Sequence, residues 1–319
     1  MTDGSRRAIL AAFLANLGIA SAKLAAWVAT GAASMLAEGV HSLADTGNQG
    51  LLILGSARAR HAPDAEHPFG YGTERYFWAF VVAIVLFLMG GLFAIWEGID
   101  KLRHPHEISS PAWAVGVLLV GIVLEAFSLR TAVAESNKLR GSASWWSFVR
   151  SSKNPELPVV LLEDIGALLG LVLALTGVTL SVLLHDPRFD AAASAAIGAL
   201  LCGISVLLSV EMKSLLIGES ASPRDLLAIR HALATTPRVR RLIHLRTLHL
   251  GPDQLLVGAK LELDASLDFA GVAGVINQAE DAVRASVPKV RMLYLEPDTH
   301  DPERDADTPA GAKPEGTTP

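Results

Sequence analysis

Six stretches of this chain are apolar over about 20 residues apiece, the length a helix needs to cross about 30 Å of hydrocarbon. They run from Ile9 to Thr30, Ser34 to Leu54, Tyr76 to Trp96, Pro111 to Leu129, Pro158 to Gly177 and Ala191 to Leu208. Lipid offers no partner to a bare peptide group, so spans of this kind must be helices. The expected fold is an all-α membrane bundle of six transmembrane helices. Composition agrees, with 51% hydrophobic and 18% charged residues. A net charge of -5 without a massed basic block excludes a nucleic-acid surface.

An even number of spans returns both termini to one side. Arg6, Arg7, Arg58, Arg60, Arg130, Lys138, Arg140, Arg150 and Lys153 fall on that side, against Lys101, Arg103 and Arg188 on the other. The richer side is the cytoplasm, so both termini and the loop from Thr131 to Leu157 are expected there. The first apolar run lacks a cleavage site and reads as a retained helix. Absence of an Arg- and Ser-rich leader points to a bacterial cytoplasmic (inner) membrane. Cys202 stands alone, so neither an internal disulfide nor a thiolate pair for metal is available.

The character of the chain changes near residue 215. Residues 1–215 form the membrane domain, 216–298 a cytoplasmic domain, and 299–319 a polar tail too poor in apolar residues to order itself. In the second region Ser222 is an N-cap with Pro223 at the first helical position. Leu242 to Leu250 and Leu255 to Leu263 read as strands joined by the turn Gly251-Pro252-Asp253-Gln254. A helix from Ala265 to Ser286 and a strand from Val290 to Leu295 complete an αββαβ, α+β unit.

The second span carries Glu38, His41, Asp45 and Asn48, spaced three, four and three apart, hence on one helical face. Each ionisable group at the bilayer centre costs about 2.5 to 3.5 kcal/mol, so the stripe requires partners or a wet cavity. The fifth span adds Glu163 and Asp164, which diverge by about 100° and cannot share one direction. Imidazole nitrogen with carboxylate oxygens suits zinc and other first-row divalent ions, whereas calcium prefers oxygens alone. His41, Asp45 and Asp164 make a near-complete tetrahedral set that Asn48 or water can finish. Elsewhere in the membrane, Lys23 and Glu125 could pair to lower their insertion cost.

The motif His41-Ser-Leu-Ala-Asp45 resembles the second-helix metal motif of the cation diffusion facilitator family, and His67-Pro-Phe-Gly-Tyr-Gly72 resembles its signature loop. The likeness covers residues 8–298. It implies a homodimer, proton-coupled export of Zn²⁺ or a similar ion, and a ferredoxin-like cytoplasmic domain, with His41, Asp45 and Asp164 as transport ligands. Where zinc-typical members carry a His four residues before the Asp, this chain has Val160. The Glu163-Asp164 pair is instead similar to the branch that includes the mitochondrial zinc transporter, which brings in Glu163. Asp64 and His67 match a secondary metal site of some members, with Tyr71 in place of a further His. His249, Glu296 and Asp298 are scattered in the cytoplasmic strands and read as surface residues.

The expected function is a secondary transporter exporting a divalent transition-metal cation from the cytoplasm by proton antiport, without a resident cofactor. Zn²⁺ is the first substrate, with Mn²⁺, Fe²⁺ and Co²⁺ open. The rival classes are a membrane metalloenzyme and a metal sensor that does not turn over. The first lacks an evident His-Glu-x-x-His run.

Overall fold

A computed structural model describes 33–105 and 111–300, side chains beginning at 43, together with single residues of the first span. The side chains of Glu38 and His41, the whole of Lys23 and the tail beyond 300 lie outside the described residues.

Among the described residues, six helices of defined extent fill the first part. They are α1 (Ala33–Arg58), α2 (Glu74–Arg103), α3 (Pro111–Arg140), a short α4 (Trp145–Ser151), α5 (Glu156–Leu184) and α6 (Arg188–Ile217). Among the described residues, α2, α3, α5 and α6 are long and apolar enough to cross a membrane. Helix α1 is the polar member of the bundle because it carries the Glu38 to Asn48 stripe. Val120, Val123 and Phe127 of α3 are 60%, 68% and 72% exposed, an outward apolar face that suits lipid rather than water. Trp96 and Trp113 near one end, and Trp145 and Trp146 near the other, are exposed in the manner of interfacial aromatic belts.

The segment expected as a loop between Thr131 and Leu157 is mostly helical. Apolarity marks where lipid ends, but the peptide ladder of α3 runs on to Arg140, with Ala132 and Ser136 buried. Helix α4 then starts where the Ser144 hydroxyl accepts the Ser147 N–H at 3.1 Å. Arg75 at the start of α2 grips Glu156 at the start of α5 through two bonds of 2.8 Å, a bidentate pair with little exposure.

Two features of α2 matter for the site. Its middle, Leu86–Leu92, is π-helical. Its later half approaches α6 backbone to backbone: a Cβ on Gly98 would stand 2.6 Å from the Ala195 nitrogen, and one on Gly198 equally close to the Ile95 nitrogen. Without a hydrophobic drive between helices in lipid, such small-residue contact supplies the association.

By its contacts the chain divides into two compact units, one of helices through Lys213 and one joining the loop Ala62–Thr73 to the chain from Ser214 onward. In the second unit, α7 (Pro223–Thr235) is capped by Ser222, whose hydroxyl accepts the Asp225 N–H at 3.1 Å. Strand β1 (Val239–Gly251) pairs antiparallel with β2 (Gln254–Leu263), and β2 pairs parallel with β3 (Val290–Pro297) after a crossover through α8 (Phe269–Ser286). The sheet order is β1-β2-β3. Helix α8 starts four residues later than the sequence suggests, because the Asp268 carboxylate caps it by accepting the Gly271 N–H at 2.8 Å. Ile229 and Leu233 of α7, Ala279 and Val283 of α8, and Leu255, Val257 and Leu261 of β2 are wholly buried and form the core. The architecture is a transmembrane bundle followed by an αββαβ domain.

Candidate metal site

Polar side chains of α1 and α5 meet inside the bundle. Asn48 of α1 is 1% exposed, and its Nδ2 donates to Glu163 Oε1 at 2.8 Å. Asp164, the next residue on α5, is 8% exposed and turns to α3, where the Ser128 hydroxyl donates to its Oδ2 at 3.0 Å. The divergence expected of adjacent helical positions is thus used to reach two different neighbours. Asp45 is half-buried and interacts electrostatically with both Glu163 and Asp164.

A cavity of about 260 Å³ opens beside this group. Asp45 and Glu163 line it and Asp164 does not. It extends between α2, α3, α5 and α6 past Phe93, Ala94, Gly170 and Ala174 to Glu97, Lys101 and Asp190. Lys101 Nζ lies 3.1 Å from Glu97 Oε1 and 3.4 Å from Asp190 Oδ2. Carboxylate oxygens and a neutral amide are hard donors that can take a divalent cation. Among the described residues no three His, Cys, Asp or Glu side chains close on one point. One turn before Asp45 on α1 is His41, whose imidazole is outside the described residues, as is the Glu38 carboxylate. The partner expected for Glu125, Lys23, is likewise outside them.

The loop residues have other engagements. Asp64 Oδ1 accepts the N–H groups of Glu66 at 3.0 Å and His67 at 2.6 Å, while Oδ2 accepts the Tyr71 hydroxyl at 2.7 Å. The Tyr71 hydroxyl, followed by the His67 amide, holds the Asp64 carboxyl below its ordinary value. The His67 ring packs on the Tyr71 ring with centroids 4.3 Å apart. Tyr71 therefore closes the loop through the very carboxylate that a metal would use.

Of the scattered strand residues, His249 departs from expectation. It is 2% exposed, not a surface residue, with Nδ1 3.3 Å from the Gly251 carbonyl. The alternation of β1 turns it inward beside the hairpin. Glu296 is exposed and Asp298 half-buried, and they pair with Lys260 at 3.2 and 2.8 Å.

Sequence reasoning singled out Glu97 as an intramembrane acid but missed Ser128 and the pairing of Lys101 with Glu97 and Asp190. A lone Ser inside an apolar span gives no signal of its own. Glu97 and Lys101 are four apart, the spacing of a helical ion pair, and only the fold brings Asp190 to them.

Residues 9–217 match the family model described as the cation efflux transmembrane domain. The proton-coupled zinc antiporter SLC30A9, mitochondrial, of Xenopus laevis is 36% identical over 245 residues, covering 76% of this chain and 44% of that protein. The chain thus spans less than half the length of this curated relative. The cation-efflux pump FieF of Pectobacterium atrosepticum is 24% identical over 270 residues, covering 83% of each. A solved MamM C-terminal domain in a nickel form is 18% identical, with a TM-score of 0.23, over 24% of this chain and 96% of that one.

Proposed function

The chain belongs to the cation efflux family, and from that premise we propose that it exports Zn²⁺ across a membrane in exchange for protons. The observation carrying this reading is the Asn48–Glu163 hydrogen bond at a cavity that Asp45 and Glu163 line within an apolar bundle, with Asp164 buried next to Glu163 on α5. Four polar groups at that depth are costly unless a cation or a wet passage repays them. Membership of a transporter family sets the metalloenzyme rival aside. Zinc and proton coupling are carried over from the Xenopus antiporter, and Mn²⁺, Fe²⁺ and Co²⁺ are alternative outcomes of the test.

His41, Asp45 and Asp164 serve as the transport ligands in this reading. Glu163 supplies the further acidic donor where zinc-typical relatives have a His and this chain has Val160. Asn48 orients Glu163, and Ser128 orients Asp164. Glu38 stands on the same helical face of α1. The loop pair Asp64 and His67 is assigned to loop structure, since Tyr71 and two N–H groups already claim the Asp64 oxygens.

Metal binding requires neutral imidazole and ionised carboxylates, so an arriving ion displaces protons and arriving protons displace the ion. With an ordinary value of about 6.5, histidine changes charge near neutrality, which suits His41 to the coupling step. Each elementary charge moved against 100 mV costs about 2.3 kcal/mol, so one-for-one exchange runs uphill electrically and needs a pH gradient or a second proton. Rocking of helices around the site alternates its access. The protein works as a homodimer with both termini in the cytoplasm, and the membrane is the bacterial inner membrane.

Metal-by-metal flux in reconstituted vesicles under an imposed pH gradient tests the reading. Zn²⁺ flux that rises with the gradient supports it. Stoichiometric metal binding without flux would instead make the protein a sensor.

A further inference from the structure

The cavity that begins at Asp45 and Glu163 ends among three charged side chains that the transport reading does not use. Glu97 and Lys101 stand one turn apart on α2, and Asp190 stands in the first turn of α6. Their side chains are 31%, 36% and 20% exposed, so they are neither sealed in nor surrounded by bulk water. All three line the cavity wall, and the stretch between the two charged ends is apolar or small: Met89, Phe93, Ala94, Gly170, Ala174 and Val178.

A divalent cation in such a passage is poorly screened and feels each fixed charge strongly. Two carboxylates without a partner would capture it and release it slowly. A lysine without carboxylates would repel it. Here the ammonium sits between both carboxylates at 3.1 and 3.4 Å and leaves one negative charge in excess. A compact ammonium on a flexible four-carbon stem can yield its place without moving the backbone. The backbone has no such freedom, since Gly98 and Gly198 hold α2 and α6 in direct contact at this end.

Resting on the transport reading above, we propose that Lys101 controls passage at this end of the cavity as a tethered cation, which a travelling divalent ion displaces from Glu97 and Asp190. The ion exchanges places with the ammonium on entry, and the ammonium returns as the ion leaves. Lys101 thereby keeps the two carboxylates attractive to metal without letting them retain it.

The full chain in proteoliposomes, with initial Zn²⁺ rates measured against Zn²⁺ concentration, tests this by the sign of two changes. Lys101→Gln is expected to lower KM about three- to tenfold and the maximal rate with it, the range open to two part-exposed ion pairs. The double variant Glu97→Gln with Asp190→Asn is expected to raise KM by a similar factor, because the unpaired ammonium then repels the ion. Lys101→Arg keeps KM near the parent value. KM moving the same way in both variants, or in neither, overturns the proposal and leaves the group as a brace between α2 and α6. Where Lys101→Gln does not fold, the double variant decides alone, and an unchanged or lowered KM there is fatal. A parent protein that carries no Zn²⁺ brings down the transport reading and this one together. A parent that carries it while the sign test fails brings down only this one.

Discussion

Two regions of the molecule use aspartate beside polar neighbours to opposite ends. In the loop Ala62–Thr73, the Asp64 carboxylate is half exposed and takes two N–H groups and one hydroxyl, all from residues within seven positions of it. On α5, Glu163 is half-buried and Asp164 buried, and they take one neutral donor each among the described residues, both from other helices. A carboxylate offers about four acceptor sites. Asp64 spends most of its capacity on holding a turn, whereas the α5 pair keeps acceptor capacity in reserve at a depth where water is scarce. The number and origin of the donors, rather than residue type, separates a folding device from a group that can take a cation.

The sharpest way to break this contrast is Asp45→Asn, which removes a charge beside the α5 pair. Its metal flux should fall by at least about a hundredfold, beyond the ~10–100-fold seen when residues that merely orient ligands are lost. Flux at the parent rate would refute the assigned role. Asn48→Ala and Ser128→Ala, which take one donor each from Glu163 and Asp164, should weaken Zn²⁺ binding by about 10- to 100-fold in calorimetry.

Asp64→Asn should leave that affinity within about twofold of the parent, since the loop carboxylate serves the turn alone, while amide exchange at Glu66 and His67 quickens as their acceptor weakens. The smallest effect is on acidity. Asp64 titrates below 3.8, chiefly because of the Tyr71 hydroxyl. A depressed value in the folded state means stabilisation that is present above 3.8 and is lost as pH falls through the folded value. Tyr71→Phe should move the Asp64 titration back up toward 3.8, read by carboxyl NMR, and an unmoved curve would deny Tyr71 its part.

Much of the bundle was legible because lipid enforces a simple rule: apolar length predicts a helix, and the αββαβ order of the second unit followed from caps, alternation and a turn. The ends were less legible. Helix α3 outran its apolar stretch to Arg140, since hydrogen bonding does not stop where lipid does. Asp268 rather than Ala265 opened α8, because a capping carboxylate outweighs apolar spacing. Within the site, the polar stripe of α1 and the acidic pair of α5 declared themselves by their cost in lipid. Ser128 did not, because a single hydroxyl is cheap there and marks nothing until a neighbour turns to it. His249 misled for the converse reason, as polarity suggested a surface while strand alternation sent it inside.

The π-helical stretch Leu86–Leu92 sets the rotational phase of everything after it on α2. A π turn accommodates a residue more than an α turn, so the face presented after it differs from the one the earlier half would have continued. Were the same residues wound as regular α-helix instead, the outer half of α2 would be swung by about 100°. Both Gly98 and Lys101 would then leave their stations together, which ties the seam with α6 and the charge at the cavity mouth to a single count of residues.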